Sequence, residues 1–87
     1  DRATAPVIYR CLLAMRDAAL AGVPRAQVEA EADGMLRRAG FEPDYAVLRS
    51  PDFNAPQDGH EGPYVALIAA RLGRTRLIDN LEFDLPG

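Results

Sequence analysis

Lysine is absent from this 87-residue chain, and all 10 of its cations are arginines. That removes the lysine that a P-loop aims at its phosphates, and no glycine-rich phosphate loop is present either. Cysteine occurs once and histidine once. One cysteine cannot close an internal disulfide, and one cysteine beside one histidine cannot make a structural zinc site. The chain is also too short for two domains, so residues 1–87 are read as a single domain. A chain of this size buries only about 60% of its unfolded surface. With no covalent or metal staple, its thin core must pack well or lean on a partner. Cations are outnumbered by 13 acidic groups, for a net charge of −3. That balance argues against nucleic acid, which needs an excess of positive charge. Long apolar runs are missing as well. The longest, residues 64–70, falls far below the roughly 20 residues of a membrane span. No signal peptide is recognisable. Together with the single free thiol, this places the chain in the cytoplasm, away from membranes.

What is present is a globular composition, 48% hydrophobic and 26% charged. Thr4 is read as an N-cap and Pro6 as a first-turn residue. Val7, Cys11, Met15 and Ala18 then recur at helical spacing, with Ile8, Leu12 and Ala19 beside them. Gly22 stops this helix in a left-handed conformation. Pro24 or Arg25 opens a second helix with Val28, Ala32, Met35 or Leu36, and Ala39 on its apolar stripe. Glu29, Glu31 and Asp33 come before Arg37 and Arg38, an order that suits the helix dipole. Gly40 ends it. The period then falls to two. Residues 44–49, with Tyr45 and Val47, read as a strand bounded by Pro43 and Pro51. Residues 51–63 read as a long surface loop. Residues 64–72 read as a central strand buried on both faces for part of its length. Gly73, Arg74 and Thr75 read as a tight turn, and residues 76–81 as a third strand. So short a connection makes the last two strands antiparallel. The predicted fold is α+β: a two-layer sandwich of two helices on a small three-stranded antiparallel sheet, in the order ααβββ.

Few residues promise chemistry. His60 sits in the polar loop with nothing to fix its tautomer or shift its pKa, and is read as a solvated histidine. Cys11 lies on the apolar stripe; Arg10 precedes it but faces another way, so Cys11 is read as core. Glu29 and Asp33 share a helix face, yet two carboxylates make a weak metal site, and a solvated face is the better reading. Arg74 and Arg76 are the substrate-binding candidates, because a glycine turn bearing two guanidinium groups can hold a phosphate or carboxylate. The alternative is a plain hairpin in which one of them pairs with Asp79 or Glu82. Asp79 and Asn80, at the end of an apolar strand, are expected to bond neighbouring backbone. No catalytic set and no metal cluster is assembled, which leaves a small α+β domain that is not a self-sufficient enzyme.

Residues 65–80 read Val-Ala-Leu-Ile-Ala-Ala-Arg-Leu-Gly-Arg-Thr-Arg-Leu-Ile-Asp-Asn. This run resembles the C-terminal signature of the pantothenate synthetase family, the pantoate–β-alanine ligases. Residues 44–49 resemble the first strand of that family's C-terminal domain, residues 4–22 its opening long helix, and residues 29–40 its second helix. Phe53 and the loop at 51–63 depart mildly from the pattern. The resemblance implies a two-domain ligase whose N-terminal nucleotide-binding domain uses ATP and Mg²⁺ to make pantoyl adenylate, with release of pyrophosphate. β-Alanine then attacks the adenylate to give pantothenate and AMP. The family's paired-histidine and Met-Ser-Ser-Arg-like motifs are not found in this sequence, so no catalytic residue carries over. The stretch that matches is the family's lid, which shields the adenylate from water. The implied partners are the N-terminal domain, pantoate, β-alanine and ATP, in a homodimer whose contacts are made largely by that other domain. The chain opens on Asp1 and not on Met, which favours an excised piece of the ligase. The alternative is a separately encoded interaction module that keeps the lid fold.

Overall fold

The computed structural model describes residues 5–50 and 62–85. Helix α1 spans Ala5–Leu20 and helix α2 spans Arg25–Arg38. Strands β1 (Glu42–Arg49), β2 (Gly62–Leu72) and β3 (Thr75–Leu85) follow. They form one sheet in the order β1-β2-β3, antiparallel throughout. This is the predicted ααβββ arrangement, with both helices on one face of the sheet.

The helices end as their glycines require. Gly22 and Gly40 have φ of 88° and 92°. At each end the following N–H reaches back five residues, Val23 to the Ala18 carbonyl and Phe41 to the Leu36 carbonyl. This paired closure needs a left-handed residue, which glycine adopts without a Cβ penalty. Pro24 is the N-cap of α2, so the helix proper begins at Arg25. Arg37 and Arg38 occupy its last turn as expected, but no acid lies in its first turn. Two acids of α2 instead form pairs at i, i+4, with Arg25 on Glu29 and Arg37 on Asp33.

The core lies between the helices and the sheet. Ile8, Leu12 and Met15 of α1 meet Val28 and Leu36 of α2 and Leu48 and Ile68 of the sheet, all essentially solvent-free. Burial of each such side chain is worth roughly 1.5–3 kcal/mol. Of the two candidates on α2, Leu36 takes the core position and Met35 stays half-buried. On α1 the buried stripe runs through Ile8, Cys11, Leu12, Met15 and Ala19, with Val7 and Ala18 at its margin.

The strands are longer than the sequence pattern suggests. β1 begins at Glu42 and runs through Pro43, where the pattern sets a boundary. Proline is tolerated there because β1 is an edge strand, and the register shifts between Pro43 and Tyr45. β2 already starts at Gly62, inside the stretch expected to be loop. β3 continues to Leu85, four residues past its expected end, because Gly62 to Ala66 of β2 supply partners for Leu81 to Leu85. Leu72 pairs with Thr75, so Gly73 and Arg74 alone make the turn. Gly73 has φ of 61°, the positive value that a two-residue hairpin turn takes at its first position. In β2, Tyr64, Val65 and Ala66, then Ile68, Ala69 and Ala70, are buried in succession, as expected of a central strand. Thr4, Phe53 and His60, and the rest of residues 51–61, for which a loop is expected, lie outside the described residues.

Candidate functional site

The hairpin between β2 and β3 brings three arginines to one corner of the sheet. Arg71 and Arg76 are direct cross-strand partners, and Arg74 is at the turn between them. Glu42 is opposite Arg71 on β1. Asp44, at the irregular step of β1, meets both paired cations. Arg76 Nε donates to its Oδ2 at 2.8 Å, and Arg71 Nε lies 3.5 Å from the same oxygen. The Asp44 carboxyl is consequently held below its ordinary pKa, first by the Arg76 hydrogen bond. Desolvation opposes this, while the charges of Arg71 and Arg76 lower the pKa further.

The two candidate arginines thus stand in different situations. Arg76 is committed to Asp44. The expected pairing with Asp79 or Glu82 is not made, for a geometric reason. Asp79 is three residues along the strand and therefore on the opposite face of the sheet, and Glu82 is on the same face but roughly 20 Å away. Arg74 is exposed and has no ion-pair or hydrogen-bond partner among the described residues. It offers an unsatisfied guanidinium fork on a tight turn, next to two further cations that share one carboxylate. Such a corner can meet a carboxylate or a phosphate from solution. Asp79 Oδ1 accepts the N–H of Asn80 at 2.8 Å, the backbone role expected of it.

Glu29 is the residue that sequence reasoning misjudged. It is no solvated face residue. Its side chain is only 19% exposed, and it binds Arg25 Nη1 at 3.2 Å and Arg49 Nη1 at 3.1 Å. It also accepts the Leu48 N–H at 2.9 Å. Leu48 is on an edge strand, so Glu29 ties α2 to β1 and covers an N–H that would otherwise be open to strand addition. The only trace of this in the sequence is the Arg25–Glu29 spacing. Cys11 is buried, and burial pushes its thiol pKa up while Arg10 pulls it slightly down, which leaves it a core residue. Among the described residues no three metal-ligating side chains converge, and Glu29, Asp33 and Asp44 are each held by arginine. Among those residues, too, no helix is long and apolar enough to cross a membrane.

Comparison with known proteins places this arrangement. Residues 1–82 match the family model described as pantoate-beta-alanine ligase. A pantothenate synthetase from Xanthomonas oryzae pv. oryzae is 60% identical over 83 residues, a match that covers 95% of this chain and 30% of the relative. Another, from Xanthomonas campestris pv. campestris, is 56% identical over 87 residues, a match that covers 95% of this chain and 31% of that relative. Among solved structures, the pantothenate synthetase of Thermus thermophilus superposes with a TM-score of 0.77 at 36% identity. There the match covers 92% of this chain and 29% of that one. The chain therefore spans about 30% of the length of the curated relatives that it matches.

Proposed function

The chain belongs to the pantoate–beta-alanine ligase family, and from that membership we propose that it is the C-terminal lid domain of such a ligase. In this reading the complete enzyme joins pantoate to β-alanine in pantothenate biosynthesis, in the cytoplasm. The pantoate carboxylate attacks the α-phosphorus of ATP and expels pyrophosphate. The β-alanine amine then attacks the acyl carbon of pantoyl adenylate and AMP leaves. Residues 1–87 act as one domain whose partner is the nucleotide-binding domain of the same enzyme, itself the main dimer contact. The match of a family model over residues 1–82, with the same fold in a pantothenate synthetase at 36% identity, carries the reading.

Within that frame this segment is assigned the role of a cover and no catalytic group. The reading assigns ATP and Mg²⁺ to the remainder of the enzyme, and Glu29, Asp33 and Asp44 each pair with arginine. A lid contributes by excluding water from the acyl adenylate and by closing over the second substrate. Arg74 is the better placed of the two arginine candidates to meet an anionic substrate, since Arg76 is already paired.

The test is AMP release from ATP, pantoate and β-alanine. It is run on the full-length polypeptide, on the same polypeptide without residues 1–87, on this chain alone, and on the two pieces mixed. The reading expects full activity only when both parts are present, joined or mixed. Deletion of the segment without effect on coupled AMP and pantothenate formation would overturn the lid assignment. Activity of the 87-residue chain alone would overturn its passive role.

A further inference from the structure

Both helices pack on one face of the sheet, and among the described residues no element lies over the other face. The strand register says what that outer face carries. Tyr45, Ala69 and Ile78 form one row across the three strands; Val47, Leu67 and Asn80 form the next; Arg49, Val65 and Glu82 form a third. An antiparallel sheet with one solvated face normally alternates apolar inward and polar outward. Here the outward positions of the middle rows are largely apolar as well. Ile78 is 59% exposed and Tyr45 37% exposed, and their side chains flank Ala69, which like Val65 on the same face is itself buried. The charges sit at the margins, with Arg71, Arg76 and Asp44 at the hairpin end and Glu82 and Asp84 at the other. An apolar centre inside a charged rim is the anatomy of a protein interface and not of a free surface. The other exposed large apolar residues, Tyr9 and Leu20, lie towards opposite ends of α1, separated by roughly 16 Å of helix. Single residues of that kind need no partner.

Resting on the ligase reading above, we propose that the outer face of the sheet, centred on the Tyr45–Ala69–Ile78 row, is the surface through which this segment docks on the rest of the pantothenate synthetase polypeptide. The occupant follows from length. The matched relatives extend over more than three times the span of this segment, which covers only 30% of the Xanthomonas protein and 29% of the Thermus chain. On the ligase reading the segment is joined to that further polypeptide, which meets the exposed Tyr45 and Ile78 side chains first, at high effective concentration. The helix face, which presents isolated side chains, is left to solvent.

The test uses the full-length polypeptide with a benzophenone maleimide attached at Ile78→Cys. Tyr45→Cys serves as a second site on the same face, and Tyr9→Cys as the control on α1. Cys11 is buried and does not compete for the reagent under native conditions. Isotopically light and heavy protein are mixed before irradiation, and crosslinked peptides are identified by mass. The expected result is a crosslink from position 78 or 45 to a peptide outside residues 1–87 of the same polypeptide, several-fold stronger than from position 9. Light–heavy crosslinks would assign the face to a second copy and overturn the proposal. So would crosslinks confined to residues 51–61, a stronger yield from position 9, or none from either sheet position. AMP release by the unlabelled full-length protein is measured separately. An active ligase without the crosslink sinks the docking face alone, whereas loss of the ligase reading shows as absent activity.

Discussion

Arg76 on β3 donates its Nε–H to Asp44 on β1 across a sequence separation of 32 residues. The two outer strands are thereby tied over the central one, beside the Arg71 guanidinium that shares the same carboxylate oxygen. Asp44 sits at the register shift between Pro43 and Tyr45, near the hairpin end of the sheet. The contact fixes one corner of the sheet, where Arg74 has no ion-pair partner among the described residues.

Asp44→Asn is expected to lower the melting temperature at neutral pH, and the difference from wild type should shrink in acid. The folded carboxyl has a depressed pKa, so its contribution is fully present above the ordinary aspartate value of about 3.9 and is lost as the pH falls through the lower folded value. Thermal unfolding of both proteins between neutral pH and strong acid checks this. A difference that stays constant across that range would remove Asp44 as the titrating group.

Arg74→Ala and Arg76→Ala should separate when placed in the full-length ligase. Arg76→Ala frees Asp44 and lowers the melting temperature, because it breaks a link between strands. Arg74→Ala leaves the melting temperature unchanged and raises KM for one anionic substrate, if its guanidinium, unpaired among the described residues, meets that substrate. Calorimetry beside steady-state kinetics reads both. Unchanged KM values for ATP, pantoate and β-alanine would confine Arg74 to the surface.

Glu29→Ala should destabilise the domain by about 1–3 kcal/mol, since it strands the Leu48 N–H and takes a carboxylate away from Arg25 and Arg49. Glu29→Gln should cost less, because its amide oxygen still accepts from Leu48. The midpoint of urea unfolding ranks the two variants, and equal midpoints would contradict the backbone role of the carboxylate.

Leu12→Ala or Ile68→Ala removes a side chain with no solvent exposure from the middle of the core. Such truncations cost about 2–5 kcal/mol. A folded chain carries only about 0.05–0.15 kcal/mol per residue, so a domain this small has little in reserve. Loss of the cooperative thermal transition is expected, with circular dichroism as the readout.

The Cys11 thiol should react with a disulfide reagent only as fast as the domain opens. Burial keeps it protonated and inaccessible. The sign runs opposite to that of Asp44: an acid whose folded pKa is raised costs stability as the pH climbs past its unfolded value. Labelling at a rate proportional to thiolate concentration, unaffected by stabilising conditions, would mean that the thiol is open.

The elements and their order were legible in residues 5–50 and 62–85 because their signals are local. Gly22 and Gly40 stop helices through contacts spanning five residues, and the turn at Gly73 forces an antiparallel hairpin. The spacing of Ile8, Leu12, Val28 and Leu36 marks faces that any packing must bury. The run of residues 65–80 resembles the ligase family because local sequence carries it. What the sequence left open was the choice of partners. Whether Arg76 meets Asp79, Glu82 or Asp44 depends on which face of β3 it occupies and on a register shift in the far edge strand. Glu29 looks solvated until α2 is laid against the edge of β1, where the Leu48 N–H awaits an acceptor. Likewise, apolar residues such as Leu67 and Ile78 declare strands, but only the placement of both helices on one side leaves their face without a helix over it among the described residues. Periodicity and turns act over a few residues and are written in the chain. Charge pairing and uncovered surface depend on distant segments brought together, and only the tertiary structure decided them.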